Sequence, residues 1–64
     1  MNNTNRLNVD YVITYHNGVK LITAFVKETG YKLGVFPDVN TMRDRIKIRY
    51  NHLIVSFRRL YENR

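Results

Sequence analysis

The side chains that could carry chemistry are few and lie far apart along the chain. His16 and His52 are the only histidines, Ser56 is the single serine, and cysteine is absent. Catalysis or metal binding needs several such groups in one pocket, and no ligand spacing links either histidine to acidic residues. The acidic residues are scattered, mostly near expected strand ends, turns or a helix start: Asp10, Glu28, Asp38, Asp44 and Glu62. We therefore expect no enzyme, no metal site and no cofactor.

The cationic side chains are more numerous, and they cluster. The net charge is +6, and residues 40–64 hold seven of the 11 Lys and Arg but two of the five acidic residues. This asymmetry favours an anionic partner such as nucleic acid, an acidic protein or a membrane surface. A simpler alternative stays open, in which the charges only aid solubility and their stems cover the core edges. The residues assigned to nucleic-acid binding are Arg43, Arg45, Lys47, Arg49, Arg58, Arg59, Lys27 and Lys32.

The elements that must position these residues begin with a β-hairpin. Residues 7–16 alternate apolar and polar side chains, which is typical of a strand. Asn17-Gly18 follows, and it suits a type I′ turn because both central positions of that turn need positive φ. A two-residue loop sets His16 opposite Val19 and aligns the apolar residues of both strands on one face. Those residues are Val9, Tyr11, Ile13, Ile22, Ala24 and Val26.

A second turn at Thr29-Gly30 predicts a third strand over residues 31–36. The register that follows from this turn sets Ala24 opposite Val35 and adds Leu33 to the same apolar face. Pro37 ends the strand because proline cannot donate a hydrogen bond to a ladder.

The other face of this sheet is expected to stay uncovered, and it is also apolar. An open apolar face favours contact with another molecule. Aromatic rings beside lysines would suit unstacked bases, whereas the aliphatic side chains would suit a protein or a second copy of the chain. The residues assigned to this contact are Phe25, Phe36, Leu21 and Val12.

The C-terminal part predicts one long amphipathic helix over residues 41–63. Thr41 as N-cap with Asp44 three residues later has the form of a capping box. A strand following a turn at Asn51-His52 is the alternative, but the apolar residues keep a helical rhythm throughout. They are Val39, Met42, Ile46, Tyr50, Leu53, Phe57 and Leu60. Ile48 and Val55 fall on the outer side and are assigned to a partner contact.

These elements predict one α+β domain over residues 1–64, a three-stranded antiparallel meander packed on one long C-terminal amphipathic helix. Residues 1–6 form a flexible tail, residues 7–36 the sheet and residues 41–63 the helix. The helix can overhang the sheet, which leaves a homodimer as an alternative. No apolar run approaches the roughly 20 residues of a membrane span, and residues 1–8 lack a signal-peptide core, so we expect a cytoplasmic protein.

A meander followed by a helix, with Thr-Met-Arg-Asp-Arg-Ile over residues 41–46 at the helix start, resembles the amino-terminal arm-binding domains of phage and transposon integrases. The resemblance implies a sheet face pressed into a DNA groove through polar and basic side chains. In this chain the corresponding face is mostly apolar. The cysteine-free, Asn- and Arg-rich composition also resembles that of phage or mobile-element products.

The leading hypothesis is a small, basic, non-enzymatic nucleic-acid-binding protein whose helix cations neutralise phosphates. The alternative is a protein-binding adaptor or an inhibitor of a host factor. It would act through the open sheet face or the outer helix face, with the arginines steering it toward an acidic target. Binding to a membrane surface is disfavoured because the sheet needs the apolar side of the helix.

Overall fold

The computed structural model describes residues 5–63 and places one helix against one face of a four-stranded sheet. The elements are β1 (Arg6–His16), β2 (Val19–Val26), β3 (Lys32–Phe36), α1 (Val39–Arg49) and β4 (Ile54–Asn63). The strand order is β3-β2-β1-β4, with β1 antiparallel to β2 and parallel to β4. Most of the predicted flexible tail, residues 1–4, lies outside the described residues, whereas Arg6 already belongs to β1.

The β1–β2 hairpin has the predicted register. His16 pairs with Val19, and Ile13 pairs with Ile22. Asn17 and Gly18 have φ values of 53° and 78°, which are the left-handed values that a type I′ turn needs. The turn chemistry and the alternating pattern therefore fix together which side chains of these two strands are buried.

The pairing of β3 is shifted by one residue from the prediction. Ala24 pairs with Gly34, and an irregularity in the ladder follows Ala24, which a register counted from Thr29-Gly30 does not include. The ring of Phe36 lies over Gly34, where an added Cβ would be 3.0 Å from Cζ of the ring. Phe36 packs against the core and Val35 is 46% exposed. The predictions that Val35 is in the core and that Phe36 is on the open face are both wrong.

The helix is short, so the predicted helix over residues 41–63 is wrong. It spans 11 residues, and its last turn closes with a hydrogen bond from the Tyr50 backbone N–H to the Ile46 carbonyl. Its N-cap is Asp38 rather than Thr41: the Asp38 carboxylate accepts a hydrogen bond from the Thr41 backbone N–H at 2.8 Å. Within residues 5–63, no helix combines the length and apolar character needed to cross a membrane.

A fourth strand stands where the second half of the helix was expected, so the predicted fold class is also wrong. Val55 and Phe57 face the helix layer, and Ser56 and Arg58 face away, as period-two alternation requires. Without β4, β1 would be an edge strand with unpaired backbone groups. The parallel ladder with β4 pairs the backbone groups of β1. The stabilisation comes from residues far apart in the sequence, so local periodicity does not reveal it. This strand also separates the fold from the meander-and-helix order of the integrase arm-binding domains.

The core lies between α1 and the sheet. Met42 and Ile46 are the buried residues of the helix. They pack with Val9, Ile13, Ile22 and Ala24 of the two inner strands. The partly buried side chains around this centre are Leu7, Tyr11, Tyr15, Leu33, Phe36, Val39, Tyr50, Val55 and Phe57. Because so short a chain buries little apolar surface, each central residue carries a large share of the stability.

Met42→Ala is expected to lower the free energy of unfolding by about 2–5 kcal/mol, since it removes a fully buried side chain and leaves a cavity. The matched control is Ile48→Ala on the same helix, where the side chain is 73% exposed and the expected change is within about 0.5 kcal/mol. Urea unfolding followed by circular dichroism measures both. Similar losses for the two variants would contradict this orientation of α1.

The Asp38 cap is expected to make stability depend on pH. The hydrogen bond from the Thr41 backbone N–H lowers the pKa of the Asp38 carboxyl below its ordinary value. A carboxyl whose pKa is lower in the folded state stabilises the fold above its unfolded pKa, and this contribution is lost as the pH falls through the folded pKa. We expect acidification below about pH 4 to destabilise the wild type more than Asp38→Asn, whose amide oxygen caps without titrating. Thermal melts at neutral and acidic pH test this, and equal losses would argue against it.

Candidate nucleic-acid interface

Helix α1 carries four exposed cations within seven residues, and the fold divides them between its two flanks. Arg43 and Lys47 lie one turn apart on one flank, and Arg45 and Arg49 lie one turn apart on the other. The guanidinium carbon of Arg43 is 5.3 Å from the centroid of the Phe57 ring, so the first flank borders β4. The second flank borders β3. These cations therefore lie on both sides of the buried face of the helix.

None of these four cations forms a salt bridge with a carboxylate within residues 5–63. The two salt bridges in that range join Arg58 to Asp10 and Arg59 to Glu62, with N–O distances of 3.1 Å and 3.6 Å. Asp44 is the single acidic residue of the helix itself. Four cations against one carboxylate give this surface a positive potential that favours an anionic ligand.

A cleft of about 300 Å³ lies between α1 and β3. The residues that line it include Arg45 and Arg49 together with the aromatic residues Phe36 and Tyr50. The guanidinium carbon of Arg49 is 5.7 Å from the centroid of the Tyr50 ring, so the cation and the ring form one continuous surface. A ligand with an anionic group next to a flat apolar group would match both parts of this surface.

Arg58 and Arg59 lie on β4, so the prediction that they extend a cationic helix is wrong. Arg58 is on the open face of the sheet, where its Nε and Nη2 donate hydrogen bonds to the two carboxylate oxygens of Asp10 at 3.2 Å and 3.1 Å. Arg59 is on the face that carries the helix and pairs with Glu62. Each of these arginines has a carboxylate partner that offsets its charge and so weakens its attraction for a phosphate.

Lys27 and Lys32 are exposed at the two ends of the β2–β3 connection. Lys27 also lines a second cleft of about 190 Å³, together with Asp10 and Arg58. The acidic group makes this second cleft a poorer match for an anion than the one beside α1. The assignment of both lysines to nucleic-acid binding stays a prediction.

The open face of the sheet carries Phe25, Leu21 and Val12, as the confirmed β1–β2 register requires. Val12 lies on an inner strand and is 7% exposed, which leaves it little surface for a partner. Leu21 and Phe25 are partly exposed. Phe36 points to the opposite face, so the predicted partner surface has fewer aromatic rings than expected.

The two residues assigned to an outer helix stripe do not share a surface. Ile48 is exposed on α1, whereas Val55 lies on β4, pairs with Leu7 and packs against the core. The predicted stripe is wrong because it depended on the helix continuing past Arg49.

Residues 5–63 bring together no group of three or more His, Cys, Asp or Glu side chains that could hold a metal ion. His16 and His52 are both exposed, the first at the β1–β2 turn and the second in the turn between α1 and β4. The expectation of a protein without enzymatic activity stays a prediction.

The sequence patterns missed two features, the Asp10–Arg58 pair and the cleft beside α1. An acidic residue within the apolar strand over residues 7–16 is a signal for the first, because a buried carboxylate needs a donor or a cation. The cleft has no local signal. It depends on the shifted register of β3 and on the end of the helix at Arg49.

The chain matches no protein family, no curated protein and no solved structure. Its ligand is therefore inferred from the surface chemistry of the described residues alone.

Arg58→Leu is expected to lower the free energy of unfolding by about 1–3 kcal/mol, because it leaves the Asp10 carboxylate, a residue 8% exposed, without its two donors. Adding Asp10→Asn should restore part of the loss, since no unpaired charge then stays buried.

Arg59→Leu is the matched control. Glu62 keeps the hydrogen bond from the Tyr15 hydroxyl at 2.9 Å, so the expected loss is below about 1 kcal/mol. Urea unfolding measures all three variants. A loss in Arg58→Leu no larger than in Arg59→Leu would show that the Asp10 pair adds nothing to stability.

Proposed function

We propose that this protein is a small, non-enzymatic, cytoplasmic nucleic-acid-binding protein that contacts phosphates through α1. The observation that carries the proposal is the set of four exposed cations on α1, none with a salt bridge in the described part of the chain. Guanidinium groups bind phosphate oxygens through paired, charge-assisted hydrogen bonds. A nucleic acid, as a polyanion, can bind several of these cations at once, whereas a single Asp or Glu side chain of a protein partner binds one or two.

The positions of the two salt bridges limit the proposed nucleic-acid interface to the helix. Arg58 and Arg59 already have carboxylate partners, so a phosphate gains less from them than from the cations of α1. Arg43 and Arg49 stack on aromatic rings, and this contact limits the side-chain freedom that is lost on binding. The interface therefore consists of the two flanks of α1.

A protein-binding function is the second candidate, and the open face of the sheet favours it. Leu21 and Phe25 are partly exposed there. Tyr61 pairs with Val12 on the same face and is 55% exposed. Within residues 5–63, neither a helix nor a strand covers this face, so it suits an apolar partner or a second copy of the chain.

Removal of charge from α1 tests the nucleic-acid proposal. Arg43→Gln with Lys47→Gln, and Arg45→Gln with Arg49→Gln, are each expected to weaken binding to a labelled oligonucleotide about ten-fold or more. Each pair should also reduce the slope of log affinity against log salt by about 2, because two phosphate contacts are lost. Fluorescence anisotropy with duplex DNA, single-stranded DNA and RNA at several salt concentrations measures both quantities.

The matched control is Arg6→Gln with Lys20→Gln, which removes the same charge from β1 and β2. A clearly smaller effect is expected there. An equal effect would mean that net charge alone drives the binding, and unchanged affinity in both α1 variants would reject the proposal. Circular dichroism of each variant confirms that the fold is intact.

A further inference from the structure

We propose that the cleft between α1 and β3 receives one unpaired base of a single-stranded nucleic acid, while Arg45 and Arg49 bind the phosphates next to it. This inference rests on the proposed function and narrows it from nucleic acid in general to single strands. It places the base site on the flank of α1 that carries Arg45 and Arg49.

The lining of the cleft suits the flat face of a base. Leu33, Phe36, Ile46 and Tyr50 give it an apolar lining with two aromatic rings. Stacking of bases on aromatic side chains is the usual way in which proteins hold single strands, and it tolerates any base because every base has a flat face. A volume of about 300 Å³ lies at the small end of the range of ligand sites, which suits one base rather than several.

The position of the cleft lets a continuous strand pass through it. β3 is an edge strand, so in the described residues no further strand closes that side of the cleft. Edge strands also offer unpaired backbone N–H and C=O groups, which can bond the polar edge of a base. A nucleotide can thus enter while its neighbours along the strand stay outside.

The cations lie where the phosphates would be. Arg45 and Arg49 are one helical turn apart on the same wall, and neither has a carboxylate partner within residues 5–63. The Arg49 guanidinium carbon is 5.7 Å from the centroid of the Tyr50 ring, so a phosphate bound to the first places its base near the second.

Two other ligands fit less well. An acidic peptide would satisfy the guanidinium groups, but the short aliphatic stem of Asp or Glu would leave the rings without a flat partner. Duplex DNA offers the phosphates, but its bases are stacked in the interior and cannot enter the cleft. The cation pair and the rings together therefore favour an unpaired nucleotide.

The test compares two labelled strands of equal length and charge by fluorescence anisotropy: an oligothymidine of about 12 nucleotides and the same backbone with abasic sugars. Wild-type protein is expected to bind oligothymidine about ten-fold more tightly than the abasic strand, because base stacking is available only to the first.

Variants of Tyr50 locate the effect. Tyr50→Leu is expected to bring the affinities for the two strands together within about two-fold, whereas Tyr50→Phe keeps the ring and should keep the preference. If Tyr50→Leu fails to fold, Arg45→Gln with Arg49→Gln locates the site: it should weaken oligothymidine binding more than Arg43→Gln with Lys47→Gln does, and equal effects would argue against the cleft.

The outcomes separate this inference from the proposed function. Equal binding of oligothymidine and the abasic strand by the wild type overturns the base site and leaves phosphate binding by α1 intact. Binding of neither strand rejects both. A labelled extended peptide of alternating Glu and Val is the last probe. Tighter binding of that peptide than of oligothymidine, lost in Arg45→Gln with Arg49→Gln, would overturn the inference and identify the cleft as a peptide site.

Discussion

The parallel ladder between β1 and β4 is the constraint on which the rest of the molecule depends. β3 lies at one edge of the sheet and β4 at the other, so the chain must cross the sheet between them. Helix α1 makes that crossing and ends at Arg49, and the chain then turns over residues 50–53 into β4. The crossing places a cationic helix over the core, with β3 along one flank and Phe57 of β4 beside the other.

The same ladder divides the charges of the C-terminal segment into two kinds. Arg58 and Arg59 are placed next to the carboxylates of Asp10 and Glu62, so part of the positive charge serves the fold. The cations of α1 have no such partners among residues 5–63 and remain available for a ligand. The unpaired positive charge of residues 40–63 is thus concentrated on the helix. Because Arg58 and Arg59 have carboxylate partners, the proposed interface contains fewer cations than the composition of residues 40–64 suggested.

Local patterns predicted the hairpin, because its register depends on Asn17-Gly18 and on the alternation over residues 7–16, which act over short distances. They also placed Arg43, Arg45, Lys47 and Arg49 on a helix, as the structure shows. The same patterns failed after Arg49. Residues 53–61 fit a helical apolar rhythm and a strand at once, and the choice between them depends on the free edge of β1, some 48 positions away along the chain. The cleft beside α1 follows from that choice and so was not predictable.

The distance along the chain between β1 and β4 has a kinetic consequence. Arg6 and Ile54 are neighbours in the sheet, and pairing residues so far apart costs loop-closure entropy before any contact offsets it. The β1–β2 hairpin, whose contacts are local, can form early, whereas the outer edge of β1 stays unpaired until the last strand arrives. During that interval an apolar strand edge is exposed to other chains, and this exposure promotes aggregation. The rate at which β4 docks therefore sets how long each newly made molecule stays vulnerable.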